Sequence, residues 1–250
     1  MPEISIIIPS LKPQDEIECV EVLDQQSFTD YEVLVQQENR ATTARNEGIK
    51  RANADKLVFL DDDSRPREGY LSRIVDTLEN EAAVVGRTIH PRDDIFARRF
   101  AGRYDLGDEP RYITHLLGCN MAVRKEVFEE VGLWDENISW GHEEVELAER
   151  VLTLYPIYYD PELVIEHVYA DSTTDYWSKM YRLEKQKPYL WNKRGVSEKQ
   201  QYINVISSLL DLSNYLGRTP EHAVVRGGGH IAGIAGQVHG LIDAKFDPFY

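Results

Sequence analysis

Apolar positions along the first two thirds of the chain fall into two alternating rhythms. Ile4, Ile6, Ile7 and Ile8 form a short run closed by Pro9, which predicts a buried strand ending where proline removes a ladder donor. Between residues 13 and 26, Ile17, Val20 and Leu23 recur at three-residue steps, the spacing of one helical face. Further strands are predicted over Tyr31–Val35, Lys56–Leu60 and Ala83–Arg87, with helices over residues 41–52, 68–80, 124–131 and 143–154. Residues 88–116 mix polar side chains with Gly and Pro and read as a long loop. Short strands are expected at Ile157–Tyr159 and Leu163–His167. Buried strands separated by helices predict a largely parallel, doubly wound α/β sheet.

After residue 170 the pattern changes. Residues 174–191 place Tyr176, Trp177, Met180, Tyr181, Leu183, Tyr189, Leu190 and Trp191 beside Lys179, Arg182, Lys185 and Lys187. Such a basic aromatic helix suits either a membrane surface, as a peripheral contact, or packing on the rest of the chain. Helices are expected over 199–216 and 221–245. Gly227, Gly228, Gly229, Gly233, Gly236 and Gly240 lie at steps that let helices approach closely, inside the chain or in a homodimer. Arg226, His230, Gln237 and His239 argue against a lipid-buried span. The expected organisation is one α/β domain over 1–171 and a helical extension over 172–250 packed on it.

Composition narrows the function. With 43 acidic and 28 basic residues the net charge is −15, which disfavours nucleic-acid binding and resembles the solvated surface of a halophile's protein. Cys19 and Cys119 form neither a metal-spaced pair nor a disulfide framework. The first strand begins at once, without a signal-like segment, and no run of about 18 apolar residues occurs. A cytoplasmic location, with the cytoplasmic face of the membrane as an alternative, is the expectation.

The strongest local signal is Leu57-Val58-Phe59-Leu60-Asp61-Asp62-Asp63, an apolar strand that runs straight into three acids. Ligands of open α/β sheets bind beyond the carboxyl ends of the strands. Adjacent carboxylates there need a counter-charge, and a hard divalent cation with oxygen ligands supplies one. The stretch Ile4–Ser10, then Ala44-Arg45-Asn46-Glu47-Gly48, then Phe59–Pro66 closely resembles the family 2 glycosyltransferases. Gly118–Phe128, running on through Val131-Gly132-Leu133-Trp134-Asp135-Glu136, and Gly141–Arg150 extend the resemblance in the family's order over residues 3–170.

The resemblance implies a GT-A fold, Rossmann-like with a mixed sheet, and an inverting, metal-dependent transfer of a sugar from a nucleotide-diphosphate sugar. Pro9 and Ser10 would line the nucleotide pocket, and Arg45 would lie near the diphosphate. Asp61 or Asp62 would meet ribose. Asp63, with Asp61 and His167, would hold Mg²⁺ or Mn²⁺, an imidazole suiting Mn²⁺ better. The family's Glu-Asp pair is here Glu143-Glu144; Glu144 would be the base, with Glu143 its rival. Where many relatives carry a base-reading acid, this chain has Gln36-Gln37, and Gln37 is the candidate. A Gln carbonyl accepts a uracil N–H, which favours a UDP-sugar without excluding other bases. Gly118 and Asn120 fall in the acceptor motif, and the Trp140 indole suits stacking on a sugar. Arg92, Arg98, Arg99 and Arg103 form a basic run suited to an anionic acceptor such as a lipid phosphate. The acceptor is thus a glycan or a lipid-linked group. Two other readings stand beside this one: a non-catalytic sugar-nucleotide or glycan-binding relative, and a sugar nucleotidyltransferase. The latter class usually carries a Gly-rich loop after the first strand, where this chain has Pro9-Ser10-Leu11-Lys12-Pro13.

Overall fold

The computed structural model describes residues 1–246. The chain divides into two compact units, one formed by Met1–Glu136 and Glu143–Tyr169, the other by Asn137–His142 and the residues from Ala170 on.

In the first unit the isoleucine run forms β1 (Ile4–Pro9), with Ile4, Ile6, Ile7 and Ile8 fully buried. Helix α1 (Glu18–Leu23) is shorter than its periodicity predicts: a 3₁₀ turn covers Gln14–Glu16 and Ile17 is extended between the two. Next come β2 (Tyr31–Gln36), α2 (Ala41–Arg51), β3 (Lys56–Leu60), the two-residue β4 (Arg65–Pro66), α3 (Tyr70–Leu78) and β5 (Ala83–Ile89). The expected loop over 88–116 contains α4 (Ile95–Arg99), a 3₁₀ turn (Ala101–Arg103) and β6 (Arg111–Ile113). The Asp94 carboxylate accepts from the Phe96 and Ala97 N–H groups, and that cap starts α4. Then follow β7 (Asn120–Arg124), α5 (Lys125–Val131), α6 (Glu143–Val151) and β8 (Ile157–Glu166). The two short strands expected near the end are halves of β8, joined across a register shift opposite Gly86 and Arg87 of β5.

One eight-stranded sheet results, in the order β2-β1-β3-β7-β5-β8-β4, with β6 on β8. It is mixed and not largely parallel. Strand β1 pairs parallel with β2 and β3, and β5 with β8, but β7 enters antiparallel to both β3 and β5. The sheet core includes Leu57, Val58, Phe59 and Leu60 of β3 and Met121, Ala122 and Val123 of β7.

The second unit contains α7 (Thr173–Lys185), α8 (Lys187–Lys193), α9 (Glu198–Leu210), a 3₁₀ turn (Leu212–Tyr215) and α10 (Pro220–Phe246). Glycines let α10 lie against α7: a Cβ at Gly236 would stand 2.2 Å from the Tyr181 carbonyl oxygen, and one at Gly240 2.2 Å from that of Lys185. The aromatic side chains of the basic segment pack inside this unit. Tyr176 and Trp191 are buried, and the Trp177 indole N–H donates to the Val225 carbonyl. Among the described residues, no helix is long and apolar enough to cross a membrane.

Candidate active site

The carboxyl ends of β1, β2 and β3 lie side by side in parallel register, which brings three chain segments to one edge. At the end of β3 the chain turns sharply. The Asp61 N–H donates to Ser64 Oγ, the Ser64 N–H donates to the Asp61 carbonyl, and Ser64 Oγ donates to the Cys119 carbonyl. From this closed turn Asp61 and Asp63 face one way and Asp62 another.

Asp61 and Asp63 converge on His167, which follows β8. His167 Nε2 lies 3.2 Å from Asp63 Oδ1 and 3.6 Å from Asp61 Oδ2. One ligand atom from each of the three lies within 4.8 Å of the others, a group able to hold a divalent ion. Burial works against ionising Asp63, but the hydrogen bond and charge of His167 outweigh it and hold the carboxyl below its ordinary range. Asp62 turns the other way. Its Oδ2 accepts from Ser10 Oγ at 2.7 Å and pairs with Lys12 Nζ at 3.0 Å, tying the third strand to the loop after β1. Lys12 was not singled out by the sequence reading, yet it is a cation on this rim, 52% exposed in its side chain.

Arg45 is the hinge of the site's charge. It is 3% exposed, with Nη2 3.4 Å from Asp61 Oδ1, Nη1 3.4 Å from Glu143 Oε1, and its guanidinium 4.8 Å over the Trp134 ring. Its neighbours in α2 explain the rest of the Ala-Arg-Asn-Glu-Gly motif. Asn46 Oδ1 accepts from the Trp134 N–H, and its Nδ2 donates to the Trp134 carbonyl and to Glu136, clamping the loop that carries the indole. A Cβ at Gly48 would meet Ile7 Cγ2 at 2.5 Å, so glycine there lets α2 lie on β1.

The two glutamates at the start of α6 follow Gly141 and His142, whose φ angles are both positive, 77° and 66°. For a histidine that is an uncommon conformation, and it sets the direction in which the helix begins. Glu143 is 5% exposed, and its Oε2 is buried without a partner. Burial, then the Glu144 charge, push its carboxyl from 4.5 up to about 7, with Arg45 opposing. Glu144 is partly exposed, and its Oε1 accepts from the Gly118 N–H at 3.3 Å. A Cβ at Gly118 would stand 2.5 Å from Arg45 Nη2 and 2.9 Å from Glu144 Oε1, so the bare backbone at 118 is what admits both side chains.

The remaining expected residues lie apart from this cluster or serve it indirectly. Asn120 is fully buried. Its Oδ1 accepts from the Tyr70 hydroxyl, and its Nδ2 faces the carbonyls of Arg87 and Leu163, so its amide ties strands together and presents nothing to an acceptor. Trp140 belongs to the helical unit, where the Arg182 guanidinium lies 4.5 Å over its ring. Gln37 is exposed, its Nε2 3.5 Å from the Lys12 carbonyl. Gln36, one residue earlier, is 3% exposed with an unpartnered Oε1. Pro9 pairs in register with Gln36, and the Ser10 N–H donates to the Gln36 carbonyl. Of the basic run, Arg98 pairs with Asp93 at 3.0 Å, and Arg98, Arg99 and Arg103 are exposed.

A strand-end carboxylate turn, a convergent histidine and a paired-acid helix thus stand together in one α/β unit. Residues 14–132 match the profile of Glycosyl transferase family 2. The chain is similar to a glucosyl-dolichyl phosphate glucuronosyltransferase of Haloferax volcanii, 27% identical over 113 residues that cover 40% of this chain and 36% of that protein. It is also similar to a dTDP-rhamnosyl transferase of Shigella flexneri, 26% identical over 152 residues covering 52% and 51% of the two chains. The chain thus spans between about a third and a half of the curated relatives it matches.

Proposed function

We propose that this protein transfers a sugar, with inversion, from a nucleotide-diphosphate sugar to a hydroxyl or lipid-phosphate acceptor. The observation that carries the reading is the meeting of Asp61, Asp63 and His167 at the strand ends, with Arg45 linking Asp61 to Glu143. Two carboxylates and an imidazole fit Mn²⁺ or Mg²⁺, the imidazole favouring the former. When bound, the ion would offset negative charge on the leaving diphosphate. Pro9, Ser10 and Asp62 would cradle the nucleoside, and Lys12 would add a cation on that rim. Gln37, exposed beside the loop after β1, would read the base, and a uracil, whose N–H a Gln carbonyl accepts, is the favoured one.

Glu144 would take the acceptor's proton as its oxygen bonds to the anomeric carbon and the diphosphate oxygen departs with the bonding electrons. Glu144 is reachable and Glu143 is enclosed, which supports this assignment within the pair. Arg45, enclosed among carboxylates, would act by holding Asp61 and Glu143 in place. A lipid-linked acceptor draws support from the relative named for dolichyl phosphate, and a peripheral membrane contact from the exposed Leu209, Leu210, Leu212 and Leu216. Calorimetry of nucleotide-sugar binding with Mn²⁺, with chelator, and with Asp63→Ala tests the centre of the proposal. Affinity is expected to collapse in the last two conditions; equal affinity in all three refutes it. Product analysis should give free nucleoside diphosphate, since pyrophosphate would mark a nucleotidyltransferase.

A further inference from the structure

Two faces of α10 are occupied. Gly229, Gly233, Gly236 and Gly240 meet α7, while Ile234 and Leu241 pack with Val205 of α9. The remaining face is open to solvent. On it Val224, Ile231 and Val238 recur every seventh residue, and Gly228, Ala235 and Ile242 fall between them, so that the steps alternate four and three. Glu221 precedes this series and Lys245 closes it in the same rhythm. The seam runs roughly 36 Å, at about 1.5 Å per residue. Val224, Ile231, Val238 and Ile242 are each between 44% and 60% exposed. Ala235 is exposed too, and Gly228 is half-buried against the Trp177 ring. A solvated helix face carries polar side chains, yet no charge stands on this one between its two ends.

Set against a second copy of itself running the opposite way, the seam is its own complement. With a twofold axis level with Gly233, Ile231 faces Ala235 of the second copy, Gly228 faces Val238, and Val224 faces Ile242. Large side chains thus meet small ones near the centre, and at each end Glu221 faces Lys245 of the second copy. Every one of these contacts occurs twice, as a twofold interface requires. A parallel pair would set Glu221 on Glu221 and Lys245 on Lys245. An antiparallel pair shifted by one heptad would set Glu221 on Val238 or Lys245 on Gly228. Within its own chain Lys245 pairs with Glu198 at 3.2 Å, but both side chains are more than half exposed and the ammonium can reach a second carboxylate.

The chain's negative charge lies elsewhere. Residues 1–169 hold 35 acidic and 18 basic residues, residues 170–250 only 8 and 10, so the helical unit meets its copy nearly neutral. A lipid surface would also cover an apolar face, but it draws nothing from the alternation of large and small or from an acid and a base at opposite ends. We propose that this chain forms a twofold homodimer through antiparallel α10 helices.

Sedimentation equilibrium of the full chain in molar KCl tests this. Wild type is expected at twice the chain mass at micromolar concentration. Ile231→Glu, which brings two carboxylates beside the axis, is expected at the mass of one chain. Circular dichroism checks the fold, and Ala235→Glu, at an exposed small position, carries the test if Ile231→Glu does not fold. Orientation is read by Glu221→Cys combined with Lys245→Cys. Within one chain these thiols lie too far apart to join, and Cys19 and Cys119 are buried. Oxidation should therefore give a covalent dimer on a non-reducing gel, and neither single variant should. A covalent dimer from Glu221→Cys alone would mark a parallel pair and overturn the proposal. So would a dimer that survives in the folded glutamate variants, which would place the interface elsewhere. A monomeric wild type overturns it as well, and flotation of that monomer with phosphatidylglycerol vesicles, lost in Ile231→Glu, would assign the seam to lipid.

Discussion

Glu143 and Glu144 are neighbours in sequence that the fold treats in opposite ways, and single substitutions separate them. Glu144→Gln keeps the side chain's shape and leaves Asp61, Asp63 and His167 untouched, so donor affinity should persist. Turnover should fall by about a hundredfold or more, the scale of general-base loss, in a steady-state assay of nucleoside diphosphate release. Near-normal turnover in that variant, with Glu143→Gln inactive, would reverse the assignment. Glu143 has a different signature. Its carboxyl sits at about 7 in the folded chain against an ordinary 4.5, so between those values the folded state holds more protons than the unfolded one. Stability from this residue is complete below about 4.5 and is lost as pH rises through about 7. The difference in melting temperature between wild type and Glu143→Gln should therefore move against wild type from acidic to slightly alkaline pH. A difference constant with pH would mean that the carboxyl is not raised.

At the scale of elements, legibility tracked how local the determining forces are. β3 was readable because Leu57–Leu60 is an unbroken apolar run. β7 escaped because its five residues start with Asn and end with Arg, and what buries it is pairing with β3 and β5. α4 is too short for periodicity to reveal, and its cap, Asp94, is one acid among many. The site was legible in its acids, but Arg45 meets Glu143 from 98 positions away, and no spacing rule announces that pair. The glycine series of α10 was readable as close packing, and the structure separates its members. A Cβ at Gly236 meets the α7 backbone at 2.2 Å, whereas one at Gly227 meets nothing nearer than Tyr215 at 3.5 Å. Gly236→Ala should destabilise by about 1–3 kcal/mol through overpacking. Gly227→Ala should gain about 0.5–1 kcal/mol from helix propensity. Denaturant unfolding followed by helical signal distinguishes the two, and equal effects would show that α10 does not rest on α7 as described.

For the molecule as a whole the governing quantity is charge. Pairing each of the 28 basic residues with an acid still leaves 15 of the 43 acids without a basic partner. Exposed ion pairs such as Arg65 with Glu18, or Arg98 with Asp93, lose strength as salt rises. The unpaired acids repel one another, and that repulsion is screened by the same salt. Exposed pairs contribute about 0–1 kcal/mol each, so their loss is small, while repulsion among the excess acids is collective. Screening should therefore stabilise on balance, since the Debye length falls from about 10 Å at 0.1 M to about 3 Å at 1 M. The melting temperature is expected to rise between dilute buffer and molar KCl. KCl is the proper salt, because sulfate is excluded from protein surfaces and raises melting temperatures whatever the charge. Most of the rise should come at low concentration, where the Debye length shortens fastest. A melting temperature that is flat or falls with KCl would mean that the acids are already balanced within the fold, and the halophilic reading of this composition would be withdrawn.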